Sequence, residues 1–204
     1  LVYDNFKVKL VENRPSKNTE ILFHENKNIT ELQETTDFKN IVTKLHITCK
    51  YSPDNSEEGK AERERLKAEK RKELFDLVNE KYPDVFINIV SKKAMILNDL
   101  SIKGKGIFIS SCFIGSEVEI YDNSIINTGA IVEHHTVIAP HCNITPGAIL
   151  NFCKLGEGVY VGSGSTIIQL VEIAPYTIIG AGATVVKSIK ESGTYVGVPA
   201  RKIK

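Results

Sequence analysis

The sequence has almost no excess of charge of either sign. Its 204 residues include 26 lysines and arginines against 25 aspartates and glutamates. A protein that binds nucleic acid over a broad surface needs a clear surplus of positive charge, so this balance argues against nucleic acid as a partner. With 42% hydrophobic and 25% charged residues, the composition is that of an ordinary globular protein.

Segments for membrane insertion or export are also missing. No apolar run reaches the roughly 18 residues that a bilayer span needs, and the first residues are mixed and polar, unlike a secretory signal. The cysteines lie far apart without any C-x-x-C pair, so we expect neither a disulfide framework nor a zinc site, and the reduced cytoplasm is the expected location. They are Cys49, Cys112, Cys142 and Cys153. Because the chain starts at Leu1, we also expect it to be a piece of a longer protein.

A period of six residues dominates the second half of the chain. Large apolar residues recur at this spacing from Ile96 to Leu150, and the series shifts by one position before it resumes at Leu155 and runs to Val185. The first series is Ile96, Ile102, Phe108, Ile114, Ile120, Ile126, Val132, Ile138, Ile144 and Leu150. A second, mostly small residue such as Ala130 follows four positions later, except at Lys154.

This spacing predicts a parallel β-helix of about five coils. A helix would repeat near 3.6 residues and a half-buried strand at 2, whereas the strands of a β-sandwich recur at 8–12 residues. In a β-helix the large residue fills the core and the small one fits the corner of each face. We therefore expect a mainly β protein with its β-helix domain over residues 91–204.

The first half follows other rules and predicts a small α/β domain over residues 1–90. Residues 6–11 alternate like a strand, 41–49 contain a second apolar segment, and 85–90 resemble a buried strand. A long charged helix is expected from about 57 to 81, ended by Pro83. Its residues 60–72 should be solvated, and a stripe that includes Leu74, Phe75, Leu77 and Val78 can dock.

Four stretches of the repeat region carry a family resemblance. The segment INTGAIVEHH at residues 126–135, with TPGA at 145–148, IGAGA at 179–183 and VGVPA at 196–200, closely resembles sugar acetyltransferases. The type is that of sialic-acid O-acetyltransferases and of UDP-bacillosamine or GDP-perosamine N-acetyltransferases. The resemblance implies a left-handed β-helix, a homotrimer with active sites between subunits, and acetyl-CoA as the cosubstrate. It also implies an N-terminal Rossmann-like domain for a nucleotide-linked amino sugar. We expect this domain to be either truncated or reduced, because its usual glycine-rich opening is missing.

The candidate catalytic residues follow the inward Val132. His134 and His135 come two and three positions later, at a corner of the coil, where side chains point outward. Acyl transfer needs a general base, and imidazole titrates near neutral pH; the resemblance implies that His134 is this base. Many relatives of this type carry an acid directly after the base, where this chain has His135, so Glu133 and His135 are both candidate partners.

Further site residues are implied by the same resemblance. Asn127 and Asn143 are candidate substrate ligands, although a turn role for Asn143 is an equal alternative. His141 lies at a corner too, and we expect an exposed histidine without a role.

The cofactor is expected along the coils towards the C-terminus. Gly162, Gly180, Ala181 and Gly182 would let a pantetheine arm approach the backbone, and Lys187, Arg201 and Lys202 suit the phosphates of coenzyme A. The competing interpretations are tight corners for the small residues and a solvated charged tail for the basic ones.

The sequence thus predicts an acetyl-CoA-dependent N-acetyltransferase for a nucleotide-linked deoxyamino sugar. A sugar O-acetyltransferase is the first alternative. A γ-type carbonic anhydrase, with three zinc histidines shared between subunits, and a non-catalytic binding module are the others.

Overall fold

The computed structural model describes residues 6–12, 18–23, 41–42, 57–97 and 100–203. In the first part, β1 (Phe6–Glu12), β2 (Asn18–Phe23) and β3 (Ile41–Val42) form a sheet in the order β2-β1-β3, with antiparallel pairing throughout. The predicted strand at residues 6–11 is confirmed, and most of the predicted segment 41–49 lies outside the described residues. Since these described strands do not include the parallel pairs of a Rossmann-like unit, that character stays a prediction, as does the boundary at residue 90.

The long helix is confirmed as α1 (Glu57–Lys81). Its sequence is rich in glutamate, lysine, arginine and alanine, which favour helix, and ion pairs one turn apart support it, for example Lys72–Asp76 at 2.8 Å. The prediction that its first part is solvated was wrong at Arg71, which is buried beside Leu74 and Phe75. Leu77, expected in the docking stripe, is exposed.

Short parallel strands from Ile89 onward stack into three sheets. Sheet I contains β4 (Ile89–Val90), β7 (Phe108–Ile109), β10 (Ile125–Ile126), β13 (Asn143–Ile144), β16 (Tyr160–Val161), β19 (Ile178–Ile179), β21 (Thr194–Val196) and, antiparallel at its end, β22 (Arg201–Lys202). Sheet II contains β5 (Met95–Ile96), β8 (Phe113–Ile114), β11 (Ile131–Val132), β14 (Ile149–Leu150), β17 (Thr166–Ile167) and β20 (Thr184–Val185). Sheet III contains β6 (Ser101–Ile102), β9 (Glu119–Ile120), β12 (Val137–Ile138), β15 (Lys154–Leu155) and β18 (Glu172–Ile173).

This arrangement confirms the predicted parallel β-helix. The chain visits sheets I, II and III in turn and returns to sheet I about one coil later, so Ile126 pairs beside Ile144 and Val132 beside Leu150. The predicted strand over residues 85–90 shrinks to β4, and Val90 is exposed there.

The core follows the predicted two-residue pattern over most of the β-helix. Large residues such as Ile126 and Leu150, and small ones such as Ala130 and Ala148, are completely buried. At the shift after Leu150, Cys153 fills the small position and Lys154 stays exposed.

The predicted register was wrong near the start of the β-helix. Phe108 was expected inside, but Ile109 is the buried residue of β7, with Ile107 beside it. Ile102 is on the predicted inward register yet exposed, because it lies in the first coil, where the core has no coil beneath it.

Each coil turns three corners, and most corners contain one residue with a positive φ angle. The first corner, between sheets I and II, contains Gly129, Gly147, Gly164 and Gly182. The second corner, between sheets II and III, contains Glu117, His135, Phe152 and Leu170. The third corner, between sheets III and I, contains Gly106, Asn123, His141, Gly158 and Tyr176. Side chains at these positions leave the core, so the corners carry the surface chemistry of the fold.

Helix α1 covers the third corner. Phe75 stacks on Phe86 with ring centroids 4.3 Å apart and meets the ring of His141 edge-on at 5.5 Å. Arg71 donates through Nη2 to the carbonyl oxygens of His141 and Cys142. The other two corners lack such a helix among the described residues.

Candidate functional site

The second corner presents two exposed histidines in sequence. His134 and His135 follow β11, and both side chains reach the surface as predicted. The coil below approaches closely, because a Cβ atom on Gly115 would lie 2.7 Å from the backbone nitrogen of His134. Gly115 therefore lets the backbone of His134 pack directly on the previous coil.

The two imidazoles are joined to each other and to a carboxylate. Nδ1 of His134 lies 3.0 Å from Nδ1 of His135, and Nε2 of His135 lies 3.0 Å from Oε2 of Glu117. Phe152, from the coil above, lies against both rings with centroid distances of 5.6 and 5.3 Å. The exposed side chain of His134 has no hydrogen bond through Nε2 to the described residues, so this nitrogen is unpaired at the end of the series of contacts Glu117–His135–His134.

Glu117 is the acidic residue that the sequence interpretation missed. Glu133 was the candidate because it precedes His134, yet the described contacts of the histidine pair include Glu117 and not Glu133. Neighbours along a strand point to opposite sides, whereas Glu117 stands 18 positions before His135, one coil away at the same corner. The coil period was the signal that could have found it. A catalytic role for Glu133 stays a prediction.

Asn127 and Asn143 are close together, but on sheet I and not at the second corner, since Asn127 follows β10 and Asn143 begins β13. Nδ2 of Asn127 donates to Oδ1 of Asn143 at 3.2 Å and to the carbonyl oxygen of Ile144 at 3.0 Å. The structure therefore brings the two predicted substrate ligands together and does not join them to His134 within one chain.

Both asparagines line a cavity of about 590 Å³ between α1 and the outer face of sheet I. Arg71, His141 and Tyr160 also line it. Burial lowers the pKa of Arg71 to about 10 and raises that of the Tyr160 hydroxyl to about 12, so at neutral pH the first is a cation and the second a hydrogen-bond donor. The cavity combines polar donors with apolar walls, as ligand sites do.

His141 differs from its predicted exposed state. It is buried beneath α1, and Nδ2 of Asn123 lies 3.0 Å from its Nδ1. An amide nitrogen only donates, so Nδ1 of His141 accepts and carries no proton. Burial, followed by the charge of Lys72, lowers the pKa of His141.

The cysteines that the structure describes are buried thiols. Burial raises the pKa of Cys112 to about 11 and those of Cys142 and Cys153 to about 12. They are protonated at neutral pH, and the thiolate is the nucleophilic form. None of the three is therefore suited to be a catalytic nucleophile.

The small residues predicted for the cofactor divide into two groups. Gly162 and Gly180 serve the packing of the coils, since a Cβ atom would lie 2.5 Å from the nitrogen of Ala181 at Gly162 and 2.7 Å from Val196 at Gly180. Gly182, at the first corner, has a φ of 68° and open space around the missing Cβ, and Ala181 beside it is exposed. Only the second pair leaves room for a ligand, and its contact with a cofactor stays a prediction.

The basic residues predicted for coenzyme A gather at the C-terminal end. Lys187, Arg201 and Lys202 line one cavity of about 300 Å³ with Lys190 and Glu191. Nζ of Lys202 lies 3.3 Å from Oε2 of Glu191. This cavity therefore holds a surplus of positive charge that fits a phosphate group.

Two further features bear on the other function classes. Within the described ranges, no helix has the length and apolarity to cross a membrane. The same residues do not gather three or more histidine, cysteine, aspartate or glutamate side chains in a way that could hold a metal ion.

Comparison of the sequence with known proteins finds two enzyme classes. No protein-family model matches the chain. The serine acetyltransferase of Haemophilus influenzae is 34% identical over 83 residues, which are 36% of this chain and 31% of that protein. The mitochondrial gamma carbonic anhydrase 1 of Arabidopsis thaliana is 26% identical over 129 residues, 55% of this chain and 46% of that protein. The chain thus spans less than half the length of either relative.

Comparison with solved structures finds chains that are similar to this one in fold and in sequence. A mutant of GDP-perosamine N-acetyl transferase from Caulobacter crescentus, in complex with CoA and GDP-perosamine, matches with a TM-score of 0.61 and 28% identity over 65% of each chain. WeeI from Acinetobacter baumannii AYE matches with a TM-score of 0.62 and 27% identity, over 67% of this chain and 66% of that one. In sequence and in fold, the chain is therefore similar to acetyltransferases.

Proposed function

We propose that this protein transfers the acetyl group of acetyl-CoA to the amino group of a nucleotide-linked amino sugar, with His134 as the general base. The observation that carries this proposal is the imidazole of His134, which is exposed at the second corner, held through Nδ1 and open at Nε2. The similarity to an enzyme in complex with CoA and GDP-perosamine supports the substrate classes.

The chemical step needs one proton acceptor and one proton donor. The acceptor amine attacks the thioester carbonyl carbon, a C–N bond forms, the carbonyl π electrons move to oxygen, and Nε2 of His134 takes the amine proton. The tetrahedral intermediate then expels the CoA sulfur as the C–S bond breaks, and the proton on His134 passes to the leaving thiolate. His134 returns to its starting state, so atoms and charges balance.

A homotrimer would complete this site. Asn127 and Asn143 lie on sheet I and His134 at the second corner, so one chain separates the proposed sugar ligands from the base. In a homotrimer, the second corner of one subunit would face the first corner and sheet I of its neighbour, which places the active sites between subunits. The basic cavity with Lys187, Arg201 and Lys202 would then receive the phosphates of acetyl-CoA.

A thiol-release assay tests the proposal. Purified protein is incubated with acetyl-CoA and a panel of nucleotide-linked amino sugars, and the free CoA thiol is measured against the same sugars without an amino group. We expect release with at least one amino sugar and mass-spectrometric detection of the N-acetylated product. Absence of release with every amino sugar would contradict the proposal.

A hydroxyl acceptor is the second candidate, favoured by the similarity to serine acetyltransferase. The same base would deprotonate a hydroxyl, so the panel includes serine and sialic acid, and an O-acetyl product is distinguished from an N-acetyl product by its lability to hydroxylamine. The similarity to a carbonic anhydrase favours a third candidate. Metal analysis and a CO₂ hydration assay of the purified protein test it.

A further inference from the structure

We infer that Glu117 is a positioning residue that sets the proton on His134 through His135. This inference rests on the proposed function, because it explains how His134 is held in the protonation state of a general base. It depends on the two contacts at the second corner, His134 Nδ1 to His135 Nδ1 at 3.0 Å and His135 Nε2 to Glu117 Oε2 at 3.0 Å.

The proton positions follow from the hydrogen-bonding capacities of the groups. An ionised carboxylate only accepts, so Nε2 of His135 carries a hydrogen and donates it to Glu117. In the neutral form of His135, Nδ1 is then an acceptor and must receive a hydrogen from Nδ1 of His134. A neutral His134 with its hydrogen on Nδ1 has a lone pair on Nε2, which is the form that takes a proton from the acceptor.

Without the Glu117 carboxylate, the hydrogen of His135 is no longer fixed on Nε2. If His135 carried its hydrogen on Nδ1, it would donate to His134, and the hydrogen of His134 would move to Nε2. His134 would then present a donor instead of a base to the substrate. Glu117 therefore selects the reactive tautomer of His134 indirectly, through the intervening side chain of His135.

The carboxylate also stabilises the charge that forms during the reaction. When Nε2 of His134 accepts a proton, the imidazolium shares its Nδ1 hydrogen with His135, whose own Nε2–H is held by Glu117. Glu117 and His135 come from successive coils at one corner. Both are exposed, with side-chain accessibilities of 60% and 47%, so the effect on the free energy of unfolding should be small.

The test compares the variant Glu117→Gln with Glu172→Gln as a matched control. Glu172 is another exposed glutamate, paired with Lys154 at 3.2 Å on sheet III, two coils beyond the histidines. The glutamine keeps the size of the side chain but removes its charge, and its amide group can either donate or accept. We expect kcat to fall about 10-fold with an unchanged KM for acetyl-CoA, while Glu172→Gln stays at the wild-type value.

A double substitution separates this role from a structural one. In the background His135→Asn, where the connection is already cut, Glu117→Gln should have no further effect. Asparagine is chosen because it tolerates the positive φ of this position. Additive effects of the two substitutions would overturn the inference.

A measurement independent of catalysis distinguishes failure of the inference from failure of the proposed function. Nitrogen chemical shifts of the two imidazoles in uniformly labelled protein report which nitrogen carries the hydrogen. We expect the Nδ1–H form of His134 in the wild type and a mixture in Glu117→Gln. An Nε2–H form of His134 in the wild type refutes the inference even if acetyl transfer is observed; the expected shifts in a protein without transfer activity refute only the proposed function.

Discussion

The second and third corners place histidines at equivalent positions of the coil, with opposite results. His135 and His141 both have positive φ angles, of 57° and 63°, and both side chains leave the core. His135 meets a carboxylate and solvent, whereas His141 is buried under α1, accepts a hydrogen bond from Asn123 and contacts Phe75. The position in the coil therefore decides the direction of a side chain, and the element that covers the corner decides its chemistry.

Substitution of one histidine at each corner, His134 at the second and His141 at the third, should test this comparison most clearly. His134→Ala removes the proposed base at the open corner and should lower kcat about 10²–10⁴-fold, while the melting temperature and acetyl-CoA binding stay unchanged. His141→Ala at the covered corner should instead lower the free energy of unfolding, because it removes a buried ring and its hydrogen bond with the Asn123 amide.

Steady-state kinetics, calorimetric titration with acetyl-CoA and urea unfolding of both variants measure these effects. The assignment of roles to the two corners would be refuted if His134→Ala retained wild-type kcat. It would also be refuted if His134→Ala unfolded the protein.

The phenylalanines at the two corners offer a second comparison. Phe75 is buried between Phe86 and His141, so Phe75→Ala should cost about 3–5 kcal/mol of unfolding free energy. Phe152→Ala at the open corner should cost less than about 1 kcal/mol and act on kcat, since Phe152 lies against His134 and His135. Urea unfolding measures the difference. If the loss for Phe75→Ala were as small as the loss expected for Phe152→Ala, α1 would contribute little to the stability of the third corner.

Sequence periodicity predicted the core well and the surface of the corners only in part. A six-residue spacing of large and small residues identifies Val132 and Ala130 as interior, because few folds impose that period. The same spacing places His134 and His141 outside. It cannot say that a helix some 70 positions earlier lies over one of them. Phe75 belongs to the stripe predicted to dock, but the sequence does not show where that stripe docks, and Arg71 belongs to the segment whose charge predicts solvent exposure.

Other features escaped the sequence for local reasons. The shift from Phe108 to Ile109 occurs where both neighbours are apolar, so the pattern alone does not choose between them. Glu117 was missed because partners were sought along the chain, although in a β-helix the nearest side chains are one coil away. The sequence did show that Lys187, Arg201 and Lys202 form a basic group, because these residues lie close together in the sequence.

The two ends of the β-helix can be compared in the same way, since only the C-terminal end carries the basic cavity proposed to bind acetyl-CoA. Arg201→Glu should raise the KM for acetyl-CoA about 10-fold, equivalent to about 1.4 kcal/mol, because it replaces an attraction to phosphate by a repulsion. Lys93→Glu, an exposed lysine at the opposite end of the β-helix, is the control. Kinetics at low and high salt measure the effect, which should shrink as salt screens it; equal KM values for the two variants would assign the basic cluster to the solvated tail.

The smallest expected effect is a dependence of stability on pH that belongs to the covered histidine. Burial lowers the pKa of His141, helped by the charges of Lys72 and Arg71 and opposed by Asp76 and Glu157. The unfolded chain therefore binds this proton at a higher pH than the folded protein does. The stabilisation is present above the ordinary histidine pKa of about 6.5 and is lost as the pH falls through that value towards the lowered pKa of the folded state.

Urea unfolding of the wild type and of His141→Asn between pH 7.5 and about 5 measures this contribution. The difference between the two proteins isolates His141, because the other titratable groups contribute equally to both. Asparagine fits the positive φ of the corner and has no proton to gain, so the wild type should lose more unfolding free energy than the variant as the pH falls. Parallel curves would mean that the folded protein protonates His141 as readily as the unfolded chain does. In that case α1 does not exclude protons from His141, and the histidines of the second and third corners differ less in their chemistry than their contacts indicate.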